Sequence, residues 1–181
     1  MREIALAAGL SPANLYHYFR GKDEILFYCQ DRALDRMLAA VAAAARARTN
    51  SADRLHRVLS AHVRTLLDDV EGASAHLETT GLRPALRARI VGRRDRYERA
   101  LRALIKNGVA RGELTASDPA VVTRAMLGAL NWTATWFDPA GSLQATAVAD
   151  TIATFLVRGV AKRGPRAGPS TSPETREAVR R

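Results

Sequence analysis

An all-α protein is what this sequence predicts, and three observations carry the prediction. Apolar residues recur three and four apart through most of the chain, the period of a helix with one buried face. Cap-and-proline pairs, Ser11-Pro12 and Asp118-Pro119, open two of these segments. Between Ile4 and Lys22 a short helix, a glycine turn and a capped second helix follow one another at helix-turn-helix spacing.

Ile4, Ala5 and Ala8 make a small apolar face, and Gly9, free to adopt positive φ, ends the first helix. Leu10 plugs the turn, Ser11 caps, and Pro12 stands at the first helical position, where its missing N–H costs nothing. On the second helix Leu15 and Phe19 share a face, which leaves Pro12, Ala13, Asn14, Tyr16, His17 and Tyr18 on the exposed side or its edges. A helix presented in this way can enter a DNA major groove with its N-terminal residues nearest the bases. Asn14 can pair with an adenine edge, Pro12 and Ala13 can touch a thymine methyl, and the tyrosine hydroxyls with Lys22 can reach phosphates. Taken alone, the turn fits a plain helical hairpin with core aromatics equally well.

Arg20 and Gly21 break the second helix, and Asp23 and Glu24 place negative charge on the first turn of a third that runs to about Ala47. Its stripe is Ile25, Cys29, Ala33, Met37 and Val41, widened by Leu26, Leu34 and Leu38, with Cys29 expected as a small core residue. Thr49 to Ser51 turn and cap the next helix, whose apolar positions run from Leu55 to Val70 and include His62, read first as a hydrogen-bonded core histidine. Ala75 to Thr80 looks like a short helix and Leu82 to Arg111 a long one. The long helix has Leu86, Ile90, Tyr97, Leu101, Leu104 and Ile105 on its buried side and seven arginines around the rest. Those arginines read as a solvated face paired locally with Asp95 and Glu98, or as a basic lip for an anionic ligand. After Asp118-Pro119 a helix carries Val122, Met126 and Leu130 with small Ala125, Gly128 and Ala129, and ends in NWTATWFDPAG. A final helix bears Val148, Ile152, Phe155, Leu156 and Val160, and the Pro-, Gly- and Ser-rich stretch from residue 162 on is expected to be disordered.

The run IALAAGLSPANLYHYFRGKDEIL resembles the DNA-binding signature of the TetR family of bacterial repressors, almost position by position from Ile4 to Leu26. The resemblance implies base contacts at Arg2, Pro12, Ala13, Asn14 and His17 and phosphate-backbone contacts at Tyr16, Tyr18 and Lys22. It also implies a division into a DNA-binding region with its connecting helix over 1–47, a helical ligand-binding and dimerisation domain over 48–161, and a basic tail over 162–181. In the family the last two long helices build a four-helix dimer interface. The family's opening helix does not precede Met1 in this sequence, so the groups around Ile4, Leu15 and Phe19 are expected to bury less surface, at roughly 25 cal/mol per Å² lost.

NWTATWFDPAG followed by a last helix is similar to TetR-family regulators of fatty-acid and steroid breakdown, whose effectors are often acyl-CoA thioesters. His62, His76, Tyr97, Asn131, Trp132 and Trp136 are the few polar or aromatic groups of an otherwise aliphatic interior and form the candidate effector site. Arg93 and Arg94, with Arg87, Arg89 and Arg96, are the candidate partners of CoA phosphates.

The chain has 181 residues, 47% of them hydrophobic, enough to bury a core, and a net charge of +10 that suits a polyanionic partner. Part of that charge lies in the tail, where residues 162–181 hold six basic and two acidic side chains, rather than on the first 22 residues with three and one. No apolar run approaches membrane-spanning length, so a cytoplasmic location is expected, and the single cysteine excludes a disulfide within the chain and any multi-cysteine metal site. No motif for catalysis, metal or cofactor is present. The expected function is that of a homodimeric regulator that binds a palindromic operator, usually as a repressor, and is released by a small hydrophobic effector such as an acyl-CoA. Two alternatives stand beside it, a dimeric ligand-binding protein without DNA binding and, at lower weight, an enzyme.

Overall fold

A left-handed residue makes the first turn. Gly9 takes a φ of 65°, so α1 (Arg2–Ala7) stops and α2 (Pro12–Tyr18) leaves in a new direction. The Leu10 N–H donates back to the Ala5 carbonyl at 2.8 Å, and Ser11 Oγ accepts from the Asn14 N–H at 3.1 Å, the N-cap bond its position predicts. Ala5 and Leu15 are the buried residues of this hairpin, while Ile4 and Phe19 are half-buried. The computed structural model describes residues 1–67 and 80–162, so His76, residues 163–181 and nearly all of the short helix expected before Gly81 lie outside the described residues.

Gly21 caps α3 (Lys22–Arg46) with a backbone so close to the first turn that an added Cβ would stand 2.9 Å from Asp23 Oδ1. This helix buries Gln30, Ala33, Leu34, Met37, Val41 and Ala44. The expected stripe is therefore right from Ala33 onward but out of phase at its start. Cys29 is exposed, and the polar Gln30 beside it takes the inward position.

The core is organised around α4 (Ser51–Leu67), which packs on α3, α5 (Pro84–Ala110), α6 (Pro119–Trp136) and α7 (Ala145–Val160). Asn50 rather than Ser51 caps it: the Asn50 side-chain oxygen accepts from the Asp53 N–H at 2.8 Å, and Glu113 takes the Ser51 N–H at 2.6 Å. Leu55, Leu59 and Leu66 of α4 are enclosed with Ile90, Leu101, Ile105 and Leu130, and each such side chain contributes about 1.5–3 kcal/mol by leaving water. Asp118 caps α6 ahead of Pro119 as its residues predict, accepting from the Ala120 N–H at 2.7 Å. The end of α7 is fastened to the α5–α6 turn by backbone bonds from Thr115 N–H to the Val160 carbonyl (2.7 Å) and from Lys162 N–H to the Glu113 carbonyl (3.1 Å). Its middle is held by Asp150, which accepts from Ser60 Oγ at 2.7 Å and from Arg64 at 3.2 Å on α4. Among the described residues no helix is long and apolar enough to cross a membrane.

Candidate DNA-reading face and effector cavity

Helix α2 turns one residue inward, Leu15, and leaves the others outward. Pro12, Ala13, Asn14, Tyr16, His17 and Tyr18 are all exposed, as are Arg2 on α1 and Lys22 at the start of α3. The eight candidate DNA-contacting residues are thus accessible, with the tyrosine rings more than half exposed. His17 and Tyr18 lie edge to face with ring centroids 5.2 Å apart.

A small cavity of about 120 Å³ lies where α3, α4, α5 and α6 converge. Its apolar wall is Ala33, Leu34, Met37, Leu66 and Leu127, and its polar groups are Gln30, His62, Arg94, Tyr97 and Asn131. Four of the candidate effector residues are therefore brought together: His62, Arg94, Tyr97 and Asn131. His62 is 3% exposed, with Nδ1 3.0 Å from Tyr97 Oη and Nε2 3.1 Å from Asn131 Oδ1. An amide oxygen can only accept, so Nε2 carries the proton and Nδ1 accepts from the tyrosine. Burial pushes the Tyr97 phenol well above its usual range, which keeps it a donor, and works against the charge of Arg94, lowering its pKa. Arg94 Nη2 donates to Gln30 Oε1 at 3.1 Å, which gives the oxygen of an amide that is only 1% exposed a partner.

Arg93, one residue away, does something else. Its guanidinium bridges Asp31 and Asp35 of α3, and the Asp35 hydrogen bond raises the arginine pKa while the same bond lowers that of the carboxylate. A 100° step around α5 separates the two arginines, so Arg93 ties two helices together on the outside while Arg94 lines the cavity. Arg93 therefore does not line the cavity, and its guanidinium fastens α5 to α3. Arg83 plays the same part nearer the DNA-reading hairpin, donating at 2.6 Å to both Asp23 and Glu24. Glu24 also accepts the Arg20 N–H at 2.9 Å, the main cause of its lowered pKa. The expected local pairing survives in Glu98 with Arg102 at 3.6 Å, and Arg89 stacks over Phe27 at 4.6 Å.

Trp132 and Trp136 do not line the cavity. They are 63% and 44% exposed, because the inward face of α6 is Thr123, Met126, Leu130 and Thr133 and the tryptophans fall on the other side. There they continue an exposed stripe with Val121, Ala125 and Gly128, and Phe155 of α7 is 75% exposed as well. The i, i+4 series 128, 132, 136 is the signal in the sequence that marks this side. Gln30 is the cavity residue that periodicity misses, since a polar side chain in a helix stripe reads as solvent-facing. Among the described residues no three His, Cys, Asp or Glu side chains converge as metal ligands.

Two family models cover most of the chain: one described as bacterial regulatory proteins, tetR family, matches residues 1–29, and one described as tetracyclin repressor-like, C-terminal domain, matches residues 48–160. The chain belongs to the TetR family. The TetR-family regulator PfmR from Thermus thermophilus superposes with a TM-score of 0.76 at 34% identity, over 87% of this chain and 86% of that one. A TetR/AcrR-family regulator from Thermobifida fusca gives 0.69 at 32% identity, over 87% and 85%. AibR, solved in complex with isovaleryl coenzyme A and operator DNA, gives 0.68 at 25% identity, over 86% and 85%. No curated protein matches the chain. A helix-turn-helix joined to a helical C-terminal domain is therefore both the observed architecture and that of its TetR relatives.

Proposed function

We propose that this TetR-family regulator is a homodimeric repressor that binds a palindromic operator and releases it when a small hydrophobic effector, an acyl-CoA thioester, fills the cavity. The observation that carries the reading is that Gln30, Ala33, Leu34 and Met37, four of the cavity residues, belong to α3, the helix that begins directly after the DNA-reading hairpin. Filling the cavity acts on the element that positions Arg2, Pro12, Ala13, Asn14, Tyr16, His17, Tyr18 and Lys22. In this reading residues 1–47 read DNA and relay, and residues 48–161 bind the effector and dimerise. The exposed apolar stripe of Val121, Trp132, Trp136 and Phe155 is the surface a second copy would cover. Arg89 and Arg96, exposed on the outer face of α5, offer cations to CoA phosphates. AibR, with its coenzyme A thioester and operator, supports the same combination.

The test is release. Fluorescence anisotropy of labelled DNA from upstream of the gene, titrated with the protein and then with acyl-CoAs, should show saturable binding by a species of dimer mass followed by dissociation. A monomer that binds no DNA, or a complex indifferent to every acyl-CoA, would overturn the proposal.

A further inference from the structure

Resting on the acyl-thioester reading, the dimensions and hydrogen-bond polarity of the cavity specify which acyl group it takes. An apolar cavity of about 150 Å³ accommodates benzene, six non-hydrogen atoms, so 120 Å³ accommodates about five. Met37, Leu66 and Leu127 form its apolar wall, and packed side chains yield little to an oversized guest. The polar end is directional. The relay from Tyr97 through His62 ends on Asn131 Oδ1, so one lone pair of that oxygen is taken and the amide's two N–H donors outnumber the acceptor it has left. Arg94, which also lines the cavity, has donors only. Donors predominate between the two side chains, so a guest group that accepts hydrogen bonds is matched best there.

We propose that the cavity takes a short acyl chain of four or five carbons, linear or branched, with the carbonyl oxygen received by the Asn131 amide and the Arg94 guanidinium. Asn131 is then the residue that reads the carbonyl, and Leu127 the one that limits chain length.

Isothermal titration of the full-length protein with free CoA and with C2, C4, C5, C8, C12 and C16 acyl-CoAs tests both parts. Affinity should peak at C4–C5 and fall on either side. Leu127→Ala removes three carbons from the wall and should move the optimum toward C8. Asn131→Asp, which exchanges donors for acceptors, should weaken the C5 thioester about tenfold while free CoA is unaffected. Thermal unfolding of each variant checks that it is folded, and the two variants probe opposite ends of the cavity, so one unfolded protein leaves the other decisive. Affinity that climbs steadily to C16 in the unsubstituted protein, or an optimum that stays put in Leu127→Ala, would overturn the chain-length assignment. An unchanged C5 affinity in Asn131→Asp would overturn the carbonyl assignment. Failure of every acyl-CoA, with operator binding intact, would instead remove the acyl-thioester reading on which both stand.

Discussion

The DNA-reading hairpin and the effector domain are built on opposite terms. The hairpin buries two residues of its first twenty, Ala5 and Leu15, half-buries Ile4 and Phe19, and leaves most of the others exposed. The effector domain encloses a continuous core of aliphatic side chains around α4 and takes a bonded polar relay, Tyr97–His62–Asn131, into it. One region keeps its chemistry on the outside and the other keeps it in. The difference teaches that the two should fail independently, the domain by losing its core and the hairpin by losing single contacts.

The largest test of that contrast is Leu59→Ala. Leu59 is fully buried, and its truncation should destabilise the domain by about 2–5 kcal/mol, read as a drop in the denaturant midpoint. Leu15→Ala in the hairpin should leave that midpoint in place while operator binding is lost; a shared fall in both would mean that the two regions unfold as one. Next comes Asn14→Ala, which should cost about 1–3 kcal/mol on the cognate operator and little on random DNA, measured by competition anisotropy. Lys22→Ala should weaken cognate and random DNA alike and reduce the salt slope by about one, and equal losses from both variants on both DNAs would erase the distinction between base reading and phosphate contact.

The smallest effect concerns Asp150. The Ser60 hydroxyl, then the Arg64 charge, hold its carboxylate below the usual range. A group whose folded pKa is depressed adds stability that is present above its unfolded pKa and lost as pH falls through the folded one, here below about pH 4. Asp150→Asn should therefore flatten the acid limb of the stability curve slightly and leave neutral pH nearly unchanged, since the pair is half exposed to solvent. An acid limb identical in the two proteins would remove the assignment.

Legibility divides along the same line. The hairpin is readable residue by residue because Gly9, Ser11, Pro12 and Leu15 each do one local thing, and local geometry follows from local sequence. The helices of the domain are readable from period and caps, including the restart at Asp118-Pro119. What periodicity does not supply is phase where polar and apolar residues adjoin. It expects Cys29 inside, yet Gln30 takes that place, because a partner on another helix, Arg94, donates to the amide oxygen. Arg93 and Arg94 are alike in sequence and part company only through the carboxylates of α3. Bulk argues for Trp132 and Trp136 in an interior, yet they sit on the far side of α6, on an exposed stripe that also carries the small residues Ala125 and Gly128.

The arginine ties along α3 carry a mechanical consequence. Arg93 grips the helix at Asp31 and Asp35, beside the cavity, and Arg83 grips it at Asp23 and Glu24, beside the hairpin. At 1.5 Å per residue the centres of the two grips are about 14 Å apart along the axis. The helix that follows the hairpin is therefore clamped to α5 at both ends of one span, so a change in its tilt has to work against two guanidinium–carboxylate grips rather than one.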